Sequence, residues 1–171
     1  MRRIDSIKTI SEWIAQARRI IVFTGAGVST ESGIPDFRSP GGLWDRYDPE
    51  EFRFRRFLES VETRRKYWKM HTELYGLLTR VRPNPAHEAC VDLDRLDKLE
   101  CVITQNVDNL HQEAGNVNVI EMHGNLFRQR CLACDARKPF GREEYLGRVK
   151  TAMAEMTTFD LPSIIEMLPK C

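Results

Sequence analysis

An incomplete parallel sheet of the α/β class, followed by a small zinc-ribbon and helical module, is the fold this 171-residue sequence predicts. Three observations carry that prediction. Short apolar runs at residues 20–23, 101–104 and 117–121 are too brief for helices, and each ends abruptly in glycine or polar residues, as buried parallel strands do. The segments between them show helical spacing. After the third run, Cys131 and Cys134 form a CxxC pair, one knuckle of a zinc ribbon in which four thiolates usually hold the metal. The sheet portion is expected to span residues 1–125 and the small zinc-binding portion residues 126–171.

Composition narrows the function classes. With 26 Lys and Arg against 25 Asp and Glu, the formal net charge is +1. Such balance argues against strong general affinity for nucleic acid or an anionic membrane. No apolar run approaches the roughly 20 residues of a membrane span, and the charged, then amphipathic N-terminus lacks the apolar core of a signal peptide. Five cysteines, an odd count with one CxxC, point to reduced thiols and metal ligation in a cytoplasmic protein rather than to a disulfide framework. A redox pair or a chance spacing remains the alternative for the CxxC.

Taken in order, Asp5 or Ser6 is a candidate cap for a first helix, in which Ile7, Ile10, Ile14 and Ala17 recur at helical spacing. Ile20, Ile21, Val22 and Phe23 then form the first strand. Ser39, Pro40, Gly41 and Gly42 mark a loop, with Trp44 and Tyr47 beyond it. Residues 50–80 read as helical, with Phe52, Phe54, Phe57, Tyr67 and Trp68 interleaved among Arg53, Arg55, Arg56, Arg64, Arg65 and Lys66. Single-stranded nucleic acid binders use such patterns. The balanced charge favours a helix pair with an aromatic core face, and His71 is read as structural. Asn84 caps the next helix with Pro85 at its first position. Ala86, Ala89, Leu93 and Leu96 mark the buried side expected of it, Cys90 packs as a small apolar residue and His87 is structural. A second strand, 101–104, and a third, 117–121, follow. Residues 142–156 and 160–167 read as short helices.

The candidate site lies at the strand ends. Gly25, Ala26 and Gly27 follow the first strand and are succeeded by the hydroxyl of Ser29. Lacking bulky side chains, they permit a sharp turn and close ligand approach. A dinucleotide fingerprint needs a third glycine where Thr30 stands, so the glycines alone fit a plain tight turn as well as a phosphate site. Gly33, Ile34, Pro35, Asp36, Phe37 and Arg38 then bring together an acid, an aromatic able to cover a flat ring, and an arginine able to pair with phosphate. The second strand ends in the burst Thr104-Gln105-Asn106-Val107-Asp108-Asn109-Leu110-His111. Ligands of open α/β sheets bind beyond such carboxyl ends, and two bursts facing one another make a cleft. His123, just past the third strand, is a candidate general base, since the imidazole pKa lies near 6.5.

GAGVS with GIPDFR, TQNVDNLH, VIEMHGN and the CxxC together resemble the sirtuins, the NAD-dependent protein deacylases, over about residues 20–134. The resemblance implies a Rossmann-like NAD-binding sheet. It implies NAD contacts from Gly25, Ala26, Gly27, Ser29, Ile34, Asp36, Phe37 and Arg38. Gln105 and Asn106 then address the nicotinamide ribose, Asp108 the nicotinamide carboxamide, and His123 is the catalytic base, with Asn106 beside it in the reacting site. Val107 stands where isoleucine is usual. Cys131 and Cys134 imply structural zinc, with Cys171 looking like the opening of a second pair. The implied reaction takes an acyl group from a protein lysine with consumption of NAD, giving nicotinamide, deacylated lysine and acylated ADP-ribose. Leu43, Arg46 and Tyr47 depart from the order associated with long or acidic acyl groups, so acetyl is the expected group. Only three of the about six strands of a dinucleotide-binding sheet are visible. The chain therefore reads as the N-terminal part of a sirtuin, inactive by itself. Mono-ADP-ribosyl transfer and a noncatalytic NAD- or partner-binding remnant are the alternatives.

Overall fold

A computed structural model describes residues 2–36, 40, 42, 45–78, 80–131, 133–139, 143, 144 and 147. Phe37, Arg38, Leu43, Trp44, Cys171 and the second predicted late helix lie outside them, as does all but Glu143, Glu144 and Gly147 of the first. Among the described residues, no helix is long and apolar enough to cross a membrane.

Three parallel strands form the sheet: β1 (Ile20–Thr24), β2 (Leu99–Thr104) and β3 (Val119–Glu121), in that spatial order. Val22, Val102 and Val119 lie in register, as do Thr24, Thr104 and Glu121, the last residues of the three strands. All three strands thus finish at one level, and their following loops share one edge of the sheet. Val102 of the middle strand is fully buried. The third strand begins later than expected, and Val117 is exposed.

The run of β1 is not buried on both faces. Ile21 and Phe23 are half exposed or more, as are Ile120 and Met122, which alternate with them onto the same face. Side chains alternate along a strand, and among the described helices the one at Pro85–Arg95 packs against β2. An apolar sheet face therefore stands open.

Helix α1 (Arg2–Gln16) begins before the expected caps at Asp5 and Ser6 and ends before Ala17. Its Ile7, Ile10, Trp13 and Ile14 are exposed. What holds its end is Lys98, whose Nζ donates to the carbonyls of Ile14, Ala15 and Ala17 at 2.6–3.1 Å. A cation there satisfies otherwise orphaned carbonyls.

The region 50–80 is helical as expected, in three pieces: a 3-10 turn (Pro49–Phe52), α2 (Phe54–Glu59) and α3 (Val61–Leu78). Phe57 and Tyr67 pack edge to face, with centroids 5.1 Å apart, and Tyr67 stacks on the buried His71 at 4.3 Å. Phe54 instead faces solvent. Tyr47 packs on the body through Phe52 and a hydrogen bond to Glu73.

Helix α4 (Pro85–Arg95) starts as predicted, with Asn84 as cap and Pro85 first. Its buried side differs from the expectation. Ala86, Ala89 and Leu96 are exposed and His87 is buried in their place, while Cys90 packs inside as expected. At the cap, the Asn84 N–H donates to His87 Nδ1 at 3.3 Å, which holds the His87 ring on the inward side of the helix. Helix α5 (Leu110–Ala114) follows β2 and packs on α4. An antiparallel pair, β4 (Arg128–Arg130) and β5 (Arg137–Pro139), carries the CxxC in its connecting turn.

Candidate functional site

The three strand ends are stitched to one another. Thr24 Oγ1 donates to Thr104 Oγ1 at 2.9 Å, the Gln105 N–H donates to the Thr24 carbonyl at 3.0 Å, and the Met122 N–H donates to the Thr104 carbonyl at 2.9 Å. A further bond, from the Leu126 N–H to the Val107 carbonyl at 3.0 Å, ties the turn after β3 to the loop after β2. His123 sits inside that turn, between two anchors on the 104–107 segment, and its side chain is exposed. Gly124 has φ +78, a left-handed conformation that side chains rarely adopt.

The loops after β1 and β2 meet directly. Ser29, in a 3-10 helix (Ala26–Ser32), is 1% exposed, and its Oγ donates to Asp108 Oδ2 at 2.7 Å. Asn106 Nδ2 donates to the same Ser29 oxygen at 3.0 Å. The other Asp108 oxygen accepts from the Leu110 N–H at 3.0 Å, which seats the start of α5. Asn106 is itself held from behind, its N–H donating to Thr104 Oγ1 at 3.0 Å. The carboxylate of Asp108 is thus fixed by two donors and keeps lone pairs for a third.

Ala26, Ser29, Ile34, Asn106, Val107 and Asp108 line one pocket of about 70 Å³. Leu74, Leu77 and Leu78 of α3, with Pro35 and Leu126, complete its mostly apolar wall. The pocket therefore joins one carboxylate and one amide to a hydrocarbon lining, a chemistry suited to a flat ring bearing a polar amide. At Gly25 and Gly27, a Cβ would meet nothing within 4 Å among the described residues, so these leave open space above them. Gly25 itself is extended, with φ −139, so the first of these glycines is not required by the turn.

Behind the pocket lies a histidine pair. His87 and His111 are fully buried, with ring centroids 4.7 Å apart. His111 Nε2 lies 3.0 Å from Thr24 Oγ1, and since that hydroxyl donates to Thr104, the ring nitrogen is assigned as the donor. Burial pushes the His111 pKa down to about 4, aided by neighbouring His87 and opposed by Asp108. Burial lowers His87 too, again against the pull of Asp108. Both imidazoles are thus neutral supports of the strand ends. Asn84 adds a link of its own, donating from Nδ2 to the Val28 carbonyl at 2.7 Å and to Ser29's neighbouring turn at Ser32 Oγ, 3.0 Å.

Of the predicted site residues, Ala26, Ser29, Ile34, Asn106 and Asp108 come together in the pocket, with Gly25 and Gly27 beside it and His123 on the adjoining turn. Gln105 is exposed and Asp36 half-buried. The α3 leucines and His111 were not predicted as site residues. Their signals are the i, i+3, i+4 spacing of Leu74, Leu77 and Leu78 and the last position of the second polar burst.

The CxxC forms a closed turn. The Cys131 N–H donates to the Ala136 carbonyl at 2.9 Å, the Asp135 N–H returns to the Cys131 carbonyl at 3.0 Å, and Asp135 has φ +55. The Ala133 N–H donates to Cys131 Sγ at 3.4 Å, a bond that favours thiolate. Cys131 is half-buried and Cys134 exposed, and neither is in a disulfide. These two residues fit half of a tetrathiolate site. Among the described residues, no group of three or more His, Cys, Asp or Glu side chains lies close enough to hold a metal.

A family model described as the Sir2 family matches residues 25–159. A curated NAD-dependent protein deacylase of Desulfosudis oleivorans is 47% identical over 169 residues, covering 98% of this chain and 62% of that protein. A curated NAD-dependent protein deacetylase of Sulfolobus acidocaldarius is 38% identical over 175 residues, covering 100% of this chain and 61% of that protein. Among solved structures, one from work on the mechanism and regulation of Sir2 enzymes has a TM-score of 0.71 at 38% identity, covering 86% of this chain and 56% of its own. A Sir2 homologue in complex with NAD has a TM-score of 0.66 at 41% identity, covering 77% and 51%. The chain thus spans about three fifths of the length of these curated relatives.

Proposed function

This chain belongs to the Sir2 family, and from that premise we propose that the protein to which it contributes is an NAD-dependent protein-lysine deacylase, with acetyl-lysine as its substrate group. The observation that carries the proposal is the Ser29–Asp108–Asn106 cluster at the mouth of an apolar pocket, formed where the loops after β1 and β2 meet. The Sir2 homologue solved with NAD supports the cofactor, and a neighbour solved with a deacetylated p53 peptide and 3′-O-acetyl ADP-ribose supports a protein lysine as the acyl donor.

In this reading NAD supplies an anomeric carbon with nicotinamide as its leaving group. Asp108 accepts from the carboxamide, using a lone pair that Ser29 and Leu110 leave free. Asn106 and Gln105 address the ribose. Val107, Ile34 and the α3 leucines exclude water from the ring. The open space over Gly25 and Gly27 admits the phosphates, with Asp36, Phe37 and Arg38 completing the contacts. His123, on the turn beside Asn106, takes the proton of the ribose hydroxyls.

Cys131 and Cys134, with Cys171, would hold zinc, whose part is structural because thiolate sites are normally closed. Free thiols rather than disulfides accord with a cytoplasmic setting. The test is nicotinamide release from NAD in the presence and absence of an acetyl-lysine peptide, using the full-length protein. Release that requires the peptide supports deacylation, and release without any loss of acetyl from the peptide contradicts it.

A further inference from the structure

The turn that carries His123 has its own brace, which the proposed chemistry does not use. Glu121, the last residue of β3, is 10% exposed at its side chain. Its Oε1 accepts from Gln112 Nε2 of α5 at 2.6 Å and from Asn125 Nδ2 at 2.7 Å. The other oxygen, Oε2, accepts from Arg128 Nη1 of β4 at 3.0 Å. Asn125 Nδ2 also donates to Asn109 Oδ1 at 2.8 Å, while Asn125 Oδ1 accepts from the Phe127 N–H at 2.9 Å. One carboxylate thus joins both flanks of residues 122–127 to α5.

We propose that Glu121 is the positioning residue for His123, holding the 122–127 turn against the strand end that carries Asn106 and Asp108. The geometry leaves few other groups for this task. The imidazole is exposed, and Gly124 within the turn is free to move. Among the described residues, backbone bonds tie the turn to the 104–107 segment at Met122 and Leu126, and a further one, from the Arg128 N–H to the Asn125 carbonyl at 3.2 Å, stays local. Three donors on one nearly buried carboxylate resist rotation of the intervening residues. Charge-assisted bonds of this kind are roughly twice as strong as neutral ones. Gln in place of Glu keeps Oε1 as acceptor but turns an amide N–H towards Arg128, so it loosens the brace without emptying the site.

The catalytic consequence rests on the deacylase reading, whereas the brace itself does not, and two measurements separate them. In the first, backbone hydrogen exchange and the His123 imidazole NMR signals are followed in the intact chain. Glu121→Ala is expected to speed exchange at residues 122–127 by about tenfold while β1 and β2 stay within about twofold, and to broaden the His123 signals. Unchanged exchange in 122–127 overturns the proposal. Should Glu121→Ala fail to fold, Arg128→Ala removes only the Oε2 partner and is expected to speed the same amides by about threefold; no change there overturns the proposal equally. In the second, full-length Glu121→Gln is expected to lower kcat by about tenfold with KM for NAD within about twofold. A loss expressed only in KM overturns the positioning role. No nicotinamide release from the unaltered protein overturns the deacylase reading and leaves the exchange result standing.

Discussion

Ser29 Oγ donates to Asp108 Oδ2 across 2.7 Å, although 79 residues separate the two in the chain. That bond joins the loop after β1 to the loop after β2, and both side chains that make it are buried. A bond to a charged acceptor in such a setting contributes about 1.5–3 kcal/mol. Ser29→Ala removes the donor and leaves Asp108 its other partner, Leu110. The expected result is a loss of about 1–3 kcal/mol in urea denaturation and weaker NAD binding. Unchanged stability and unchanged NAD titration would show that the cluster is incidental.

Asn84 does two jobs that an ordinary cap does not combine. Its Oδ1 accepts from the Ala86 N–H at 2.9 Å, while its Nδ2 reaches back to Val28 and Ser32. Loss of a cap costs about 1 kcal/mol, and the half-buried Val28 carbonyl would lose its side-chain partner as well. Asn84→Ala is expected to cost about 2–3 kcal/mol, whereas Asn84→Asp should restore only the cap. Stability of Asn84→Asp equal to that of the unaltered chain in urea would argue against the second job.

Acid should unfold this chain through its histidines. Burial holds His71 and His111 down at about 4, and lowers His87 as well. In the unfolded chain all three titrate near 6.5. Between those values the unfolded state binds more protons, so stability is full above about pH 6.5, falls as pH drops towards about 4, and levels there as the folded form protonates too. The measurement is the urea midpoint across that window. A midpoint flat from about pH 7 to about pH 4.5 would exclude this account.

The strand ends were legible in the sequence because two signals coincide there. β-branched runs mark Val22 and Val102 as strand interior, and the polar residues that follow mark where the ladder stops. Burial was less legible. Ile7, Ile10 and Ile14 have the spacing of a buried stripe, yet they are exposed. Periodicity states which face favours burial, and a covering partner is a separate, tertiary fact. On α4 the spacing of Ala86 and Ala89 misleads in the same way, and His87, held inward at the cap, is buried in their place. The pocket wall was hidden for a similar reason. Leu74, Leu77 and Leu78 read as an ordinary helix face until α3 is laid against Ile34 and Leu126.

Zinc is expected to depend on the knuckle. Cys131 and Cys134 supply two thiolates, and Cys171 a possible third, so the 171-residue chain should bind zinc less tightly than a four-cysteine site. Competition with a chromophoric chelator measures that affinity. Cys131→Ser with Cys134→Ser should abolish binding. Stoichiometric zinc that survives the double substitution would place the metal elsewhere.

The sharpest expectation concerns His123. Its turn is anchored at Met122 to Thr104 and at Leu126 to Val107, so the imidazole is carried beside the loop of Asn106 without touching the Ser29–Asp108 pair. Binding of NAD and transfer of a proton should therefore separate on substitution. In the full-length protein, His123→Ala is expected to slow deacetylation by on the order of 100- to 10,000-fold, the usual cost of losing a general base. NAD affinity should change little, because it rests on backbone and polar groups of the other two loops. Nicotinamide release with an acetyl-lysine peptide reports the first quantity, and titration with NAD the second. The 171-residue chain, tested beside it, is expected to show no turnover with His123 intact, since the three parallel strands among the described residues are fewer than the about six of a dinucleotide-binding sheet. Unchanged release by full-length His123→Ala would remove the base assignment, and robust release by the short chain would show that these three strands suffice.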